Sequence, residues 1–132
     1  MSDSPEHFGF AKLLVVDLEK SATFYTDVFG LKETTRIQSE IAGRELEEIL
    51  FNPTGDGAAT FVLLKFLDAT TPSSNELILG FLTTDIDALI DRAIAAGGSV
   101  LREAQDYSHL GVKVAFINDL EGHLIEVVQQ MA

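Results

Sequence analysis

The sequence has no cysteine, which excludes disulfides, thiolate metal sites and cysteine nucleophiles. Basic residues are scarce, 9 against 21 acidic ones, so the formal net charge is −12. A chain so acidic repels phosphate backbones and anionic lipid, and neither nucleic acid nor a membrane surface is expected as a partner. No apolar run approaches the length of a membrane span. The opening "MSDSPEHFGF" lacks a basic region followed by an apolar stretch, so no secretory leader is read there and a cytoplasmic location is expected. Walker, dinucleotide-fingerprint, nucleophile-elbow and HExxH motifs are all missing.

What is present is ordinary globular composition. The 132 residues are 46% hydrophobic and 23% charged, with three prolines, and read as one domain, 1–132. "FGFAKLLVV" (8–16) predicts a strand. Asp17 then serves as N-cap of a helix to about Phe29, with Gly30 as its stop. Leu18, Ala22, Tyr25 and Phe29 share one face of that helix. "KETTRIQ", "RELEEILF" and "ATFVLLKF" follow as strands, with a turn cluster at "NPTGDG" (52–57).

After a linker-like "DATTPSSN" (68–75) the pattern restarts. "ELILGFLTT" is a strand, and Asp85 or Thr84 caps a helix through Ala96 that is stopped by the glycine pair at 97–98. Its apolar face is Ile86, Leu89, Ile90, Ala93 and Ile94. "SVLREAQ", "GVKVAFI" and "HLIEVVQ" complete a second βαβββ unit. Module one is therefore about 8–67 and module two about 76–130. Asp17 and Gly30 bracket the first helix with the spacing of Asp85 and Gly98 around the second. Sliding one half onto the other sets Phe10 opposite Ile78, and superposing the last strands separately sets Leu64 opposite Glu126.

With "LLVVDLEKSATFYTDVFGLK" (13–32), "AIAAGGSV" (93–100) and "VAFINDLEGHLIEVV" (114–128), the chain resembles the vicinal oxygen chelate superfamily. That group includes glyoxalase I, extradiol dioxygenases and bleomycin-resistance proteins. One departure is Leu120, where the family's turn usually has proline. The resemblance implies an α+β fold whose two βαβββ modules form a curved half-barrel around a cavity, commonly in homodimers. In metal-dependent members the ligands come from the first and last strands of each module. Carried over, those positions are Phe10, Leu64, Ile78 and Glu126, and of these only Glu126 can coordinate. One carboxylate does not hold a catalytic ion in a defined geometry, so no metal or other cofactor is expected. A divalent metal is the alternative, with His109 and Glu126 as its conceivable ligands.

Strand parity refines the candidates. Lys12 and Leu14 have the parity of Phe10 and should face the cavity, whereas His7 and His123 should point away from Phe10 and Glu126. Lys12 is either a rim or paired lysine, or a cation that binds a ligand oxygen. Glu126 is a structural acid paired with Lys12 or Lys113, or else a base or ligand anchor activated by burial. Glu45 and Glu47 read as the solvated face of an edge strand, with Glu48 on the side of Leu46 and Leu50. Phe66, Tyr107 and His109 complete the candidate lining.

The functional expectation is a metal-free protein that sequesters or carries a small molecule in an apolar cavity, with Lys12 and Glu126 orienting it. A lyase or isomerase acting on a carbonyl compound, with Glu126 as base, is the alternative. A filled cavity and a purely interacting dimer form a third.

Overall fold

Asp17 and Asp85 start the two helices by accepting hydrogen bonds from Lys20 N and Ala88 N, at 3.0 and 3.1 Å. The first, α1, spans Leu18–Phe29 and ends on Gly30, whose φ of 71° is the left-handed cap a residue with a Cβ resists. The second, α2, spans Ile86–Ala95. Around them run eight strands: β1 Phe10–Leu14, β2 Glu33–Ile41, β3 Arg44–Phe51, β4 Thr60–Phe66, β5 Ile78–Thr83, β6 Ser99–Tyr107, β7 Val112–Asn118 and β8 Leu124–Gln130. The computed structural model describes residues 5–72 and 76–131, so positions 73–75 of the predicted linker lie outside the described residues.

The strands form two four-stranded mixed sheets, ordered β1-β4-β3-β2 and β5-β8-β7-β6. β1 runs parallel to β4 and β5 parallel to β8, and the remaining pairs are antiparallel. Each helix is the crossover that a parallel first-to-last pairing needs. The result is the predicted pair of βαβββ modules.

Alternation divides each sheet into two faces. Leu13, Val15, Ile49, Phe51 and Leu63 of the first sheet join Ala115, Ile117, Ile125 and Val127 of the second in one buried core with both helices. α1 packs against α2 within it. Tyr25 stands at its centre, its ring centroid 5.3 Å from that of Phe24 and 5.1 Å from that of Phe61, while Phe29 stacks on Phe81 at 3.8 Å.

The helix faces were partly legible. Leu18, Ala22 and Tyr25 are buried as expected, with Phe24 and Val28 beside them, whereas Ile94 is 54% exposed. Ile94 follows Ala93 by one residue, which turns it past the edge of the narrow buried stripe.

The turn before β8 is closed without the family's proline. Asp119 Oδ1 accepts from the backbone N–H groups of Glu121 and His123, each at 2.9 Å. Glu121 reaches back to the β1–α1 junction, its carboxylate accepting from Val16 N at 2.9 Å and Asp17 N at 2.8 Å. Module two thereby pins the junction that leads into the helix of module one. No helix among the described residues is long and apolar enough to cross a membrane.

Candidate functional site

Because the helix-side faces of both sheets merge into one core, their opposite faces are left uncovered. On module one that face carries Phe10, Lys12 and Leu14 of β1, in register with Thr60, Val62 and Leu64 of β4. Glu48 of β3 pairs with Leu64, and Leu46 with Phe66. Phe10 and Leu14 are exposed, whereas Leu64 is buried beneath its neighbours.

Lys12 Nζ lies 2.8 Å from Glu48 Oε2, and the two side chains are 33% and 9% exposed. Their strands flank β4, so the pair bridges over the middle of the sheet face. The contact is an ion pair by distance but not an aligned hydrogen bond, and Oε2 has no hydrogen-bond partner. Two expectations change here. Lys12 pairs with Glu48, not with Glu126. Nor is β3 an edge strand, since it lies between β4 and β2, so Glu48 is buried while Glu45 stays exposed. The burial of Glu48 agrees with its place on the same side of the strand as Leu46 and Leu50.

On module two the uncovered face carries Ile78, Gly80 and Leu82 of β5, with Glu126 beside Gly80 and Phe116. Glu126 is half-buried. Among the described residues its side chain makes no ion pair or hydrogen bond, with Lys113 or any other group. Tyr107 ends β6 and is half-buried. His109 is exposed in a short 3₁₀ turn, Ser108–Leu110, its ring centroid 6.4 Å from that of Tyr107. His7 is exposed ahead of β1.

His123 points away from Glu126, as parity requires, into a buried cluster. Its Nδ1 lies 2.8 Å from Asp119 Oδ2 and its Nε2 3.1 Å from the carbonyl of Leu14. Both partners can only accept, so both ring nitrogens donate and the ring is an imidazolium. Burial would lower the His123 pKa, but the hydrogen bond and charge of Asp119 outweigh it and the net shift is upward. For Asp119, burial works to raise the pKa, and the hydrogen bonds from His123 and Tyr25 carry it below the usual carboxylate value. Tyr25 donates to Asp119 Oδ2 at 2.7 Å, and burial and that carboxylate push its phenol pKa well up. These groups hold the turn to β1 and do not face the ligand side.

Two clefts open beside these faces. One of about 620 Å³ lies between the modules on the helix side, bordered by Phe29, Phe61, Phe81 and Arg92. It contains none of the predicted site residues, and Arg92 Nε is committed to the carbonyl of Val28 at 3.1 Å. A smaller pocket of about 320 Å³ joins Leu14 and Phe66 beneath Arg44. That guanidinium lies 3.9 Å from the Phe66 ring centroid and is held by Asp68 at 2.7 Å.

The fold matches that of known proteins. The sequence model of the Glyoxalase/Bleomycin resistance protein/Dioxygenase superfamily matches residues 6–127. The chain belongs to this superfamily. Among its relatives in the superfamily is a probable lactoylglutathione lyase of Vibrio parahaemolyticus, 29% identical over 120 residues, covering 89% of this chain and 86% of the relative. Lactoylglutathione lyase GLX1 of Arabidopsis thaliana is 29% identical over 121 residues, and there the chain spans 41% of the relative's length. A glyoxalase family protein of Bacillus cereus superposes with a TM-score of 0.84 at 20% identity, covering 100% of this chain and 99% of that one. Within the superfamily fold, Phe10, Leu64 and Ile78 offer no donor atom at the positions where the resemblance expects metal ligands. Among the described residues no group of three or more His, Asp or Glu side chains is placed to hold a metal ion. Of the four expected ligand positions, Glu126 alone carries a side-chain donor atom.

Proposed function

We propose that this protein binds a small molecule without a metal, in the manner expected for a bleomycin-resistance-like member, on the uncovered faces of its two sheets. The observation that supports it most is the residue set at the four expected ligand positions, three of them large apolar groups beside an otherwise apolar surface. Phe10, Leu14, Leu64 and Phe66 supply contact area on module one, and Ile78, Tyr107 and Glu126 on module two. Exposed Phe10, Leu14, Ile78 and Leu82 favour cover by a second copy, which places the ligand between modules of a homodimer. Metal content per chain, on protein purified without chelator or nickel resin, is the test. A metal near one per chain that is lost in Glu126→Ala would overturn the reading. No metal, and no rise in Tm with added Ni, Zn, Mn or Fe, supports it.

The names of the relatives favour a second reading, a glyoxalase-like lyase with Glu126 as base or residual metal ligand. Glu126 is unpaired and half-buried next to Phe116, as a base in wait would be. Conversion of a hemithioacetal to lactoylglutathione by purified protein, abolished in Glu126→Gln, would establish it. Activity that survives Glu126→Gln removes Glu126 from that role.

A further inference from the structure

We infer that the Lys12–Glu48 pair is the polar anchor of the ligand face, and that it selects molecules bearing an acceptor oxygen, carbonyl or acidic, on a flat apolar body. The inference rests on the ligand-binding reading above and assigns that ligand its chemistry.

Three observations carry it. The pair is lopsided: Glu48 is nine-tenths buried while Lys12 keeps a third of its side chain open, so the ammonium holds unspent N–H donors toward the ligand side. It is also central, because Lys12 on β1 reaches Glu48 on β3 across β4, over Val62 and Leu64. Leu64 is one of the four positions where the resemblance expects a metal ligand, so the cation lies beside that place. Finally, the surroundings suit a flat body, with the Phe10 ring centroid 5.6 Å from Nζ and exposed Leu14 on the other side of Lys12 along the strand.

Stability alone does not account for the pair. Burying a carboxylate against a lysine on an apolar sheet face is commonly no better than two apolar side chains of similar volume. Glu48 Oε2 also lacks a hydrogen bond, so the acid is not otherwise satisfied. Its effect is to fix the ammonium over the middle of the face. The paired charge is locally neutral, so a ketone oxygen binds there without meeting the repulsion that a net charge of −12 imposes on an anion.

Three fluorescent probes with naphthalene bodies separate the possibilities: N-phenyl-1-naphthylamine has no acceptor oxygen, prodan has a neutral ketone, and anilinonaphthalene sulfonate is anionic. Wild type is expected to bind prodan at least fivefold more tightly than the amine, with the sulfonate between the two because the net charge of −12 repels it. K12M should bring both oxygen-bearing probes to the level of the amine and change the amine itself less than twofold. Because K12M leaves Glu48 buried and unpaired, the double variant K12M/E48M is run beside it. That variant should melt at or above the wild-type temperature and show the same loss of selectivity. Selectivity that survives in the double variant overturns the inference, as does a double variant that melts well below wild type. If the amine binds wild type as tightly as the other two, the anchor falls and the apolar site stands. If none of the three binds, the ligand-binding reading falls and takes the anchor with it.

Discussion

His123 shows how one side chain can tie a loop to the strand at the edge of an uncovered sheet face. Its ring is charged, clasped between Asp119 and the carbonyl of Leu14, whose own side chain is on the uncovered face of the first sheet. Removing one member of a buried charged pair leaves the other uncompensated, so His123→Ala should cost about 3 kcal/mol of stability in urea unfolding. The pH dependence has a definite sign. A folded pKa raised above the unfolded value of about 6.5 gives stability that is fully present below pH 6.5. That stability is lost as pH rises through the folded pKa. The lowered pKa of Asp119 acts at the other end, with stability lost as pH falls below the usual carboxylate range. Wild type should therefore lose stability on the alkaline side of about pH 6.5, and His123→Asn should lack that decline. Parallel slopes in the two proteins would mean that the ring is not charged in the folded state.

At the scale of elements, the two helix ends look alike in sequence and differ in structure. Gly30 caps α1 with a left-handed φ of 71°, while after α2 that role passes to Gly97, whose φ is 97°. Gly98, the counterpart of Gly30 by spacing, is constrained by proximity instead. A Cβ there would stand 2.8 Å from the backbone oxygen of Asn118 and 2.9 Å from Cε1 of Phe24. Gly98→Ala should destabilise the chain by about 1–3 kcal/mol, seen as a lower urea midpoint with unchanged slope, since backbone must move to admit the methyl group. Cap spacing made the helices and the module repeat legible, because capping is local chemistry written in adjacent residues. The side of the strand on which Glu48 lies was legible, but its pairing with Lys12 was not, because Lys12 lies two strands away and only the sheet order brings them together. The DLEGH turn was visible as a turn, but its grip on the β1–α1 junction through Glu121 depends on a contact between opposite ends of the chain.

For the whole molecule, the merged core decides what the two modules can do for one another. Both helices and the inner faces of both sheets are spent on it, which leaves each outer sheet face open on its own side. The proposed homodimer would cover these faces, and its formation opposes apolar burial to charge. Two copies bring a net charge of −12 each, so long-range repulsion works against association while Phe10, Leu14, Ile78 and Leu82 favour it. Salt shortens the reach of the repulsion to about 8 Å at physiological ionic strength and leaves apolar burial in place. The dimer should accordingly tighten as sodium chloride is raised from low to moderate concentration, opposite to an interface held by ion pairs. Leu82→Glu, at a position 76% exposed in the single chain, should weaken association severalfold and barely change the unfolding of the monomer. Sedimentation velocity across a salt series reads both effects. A wild type that stays monomeric at every salt concentration would show that the faces remain open and would overturn the homodimer.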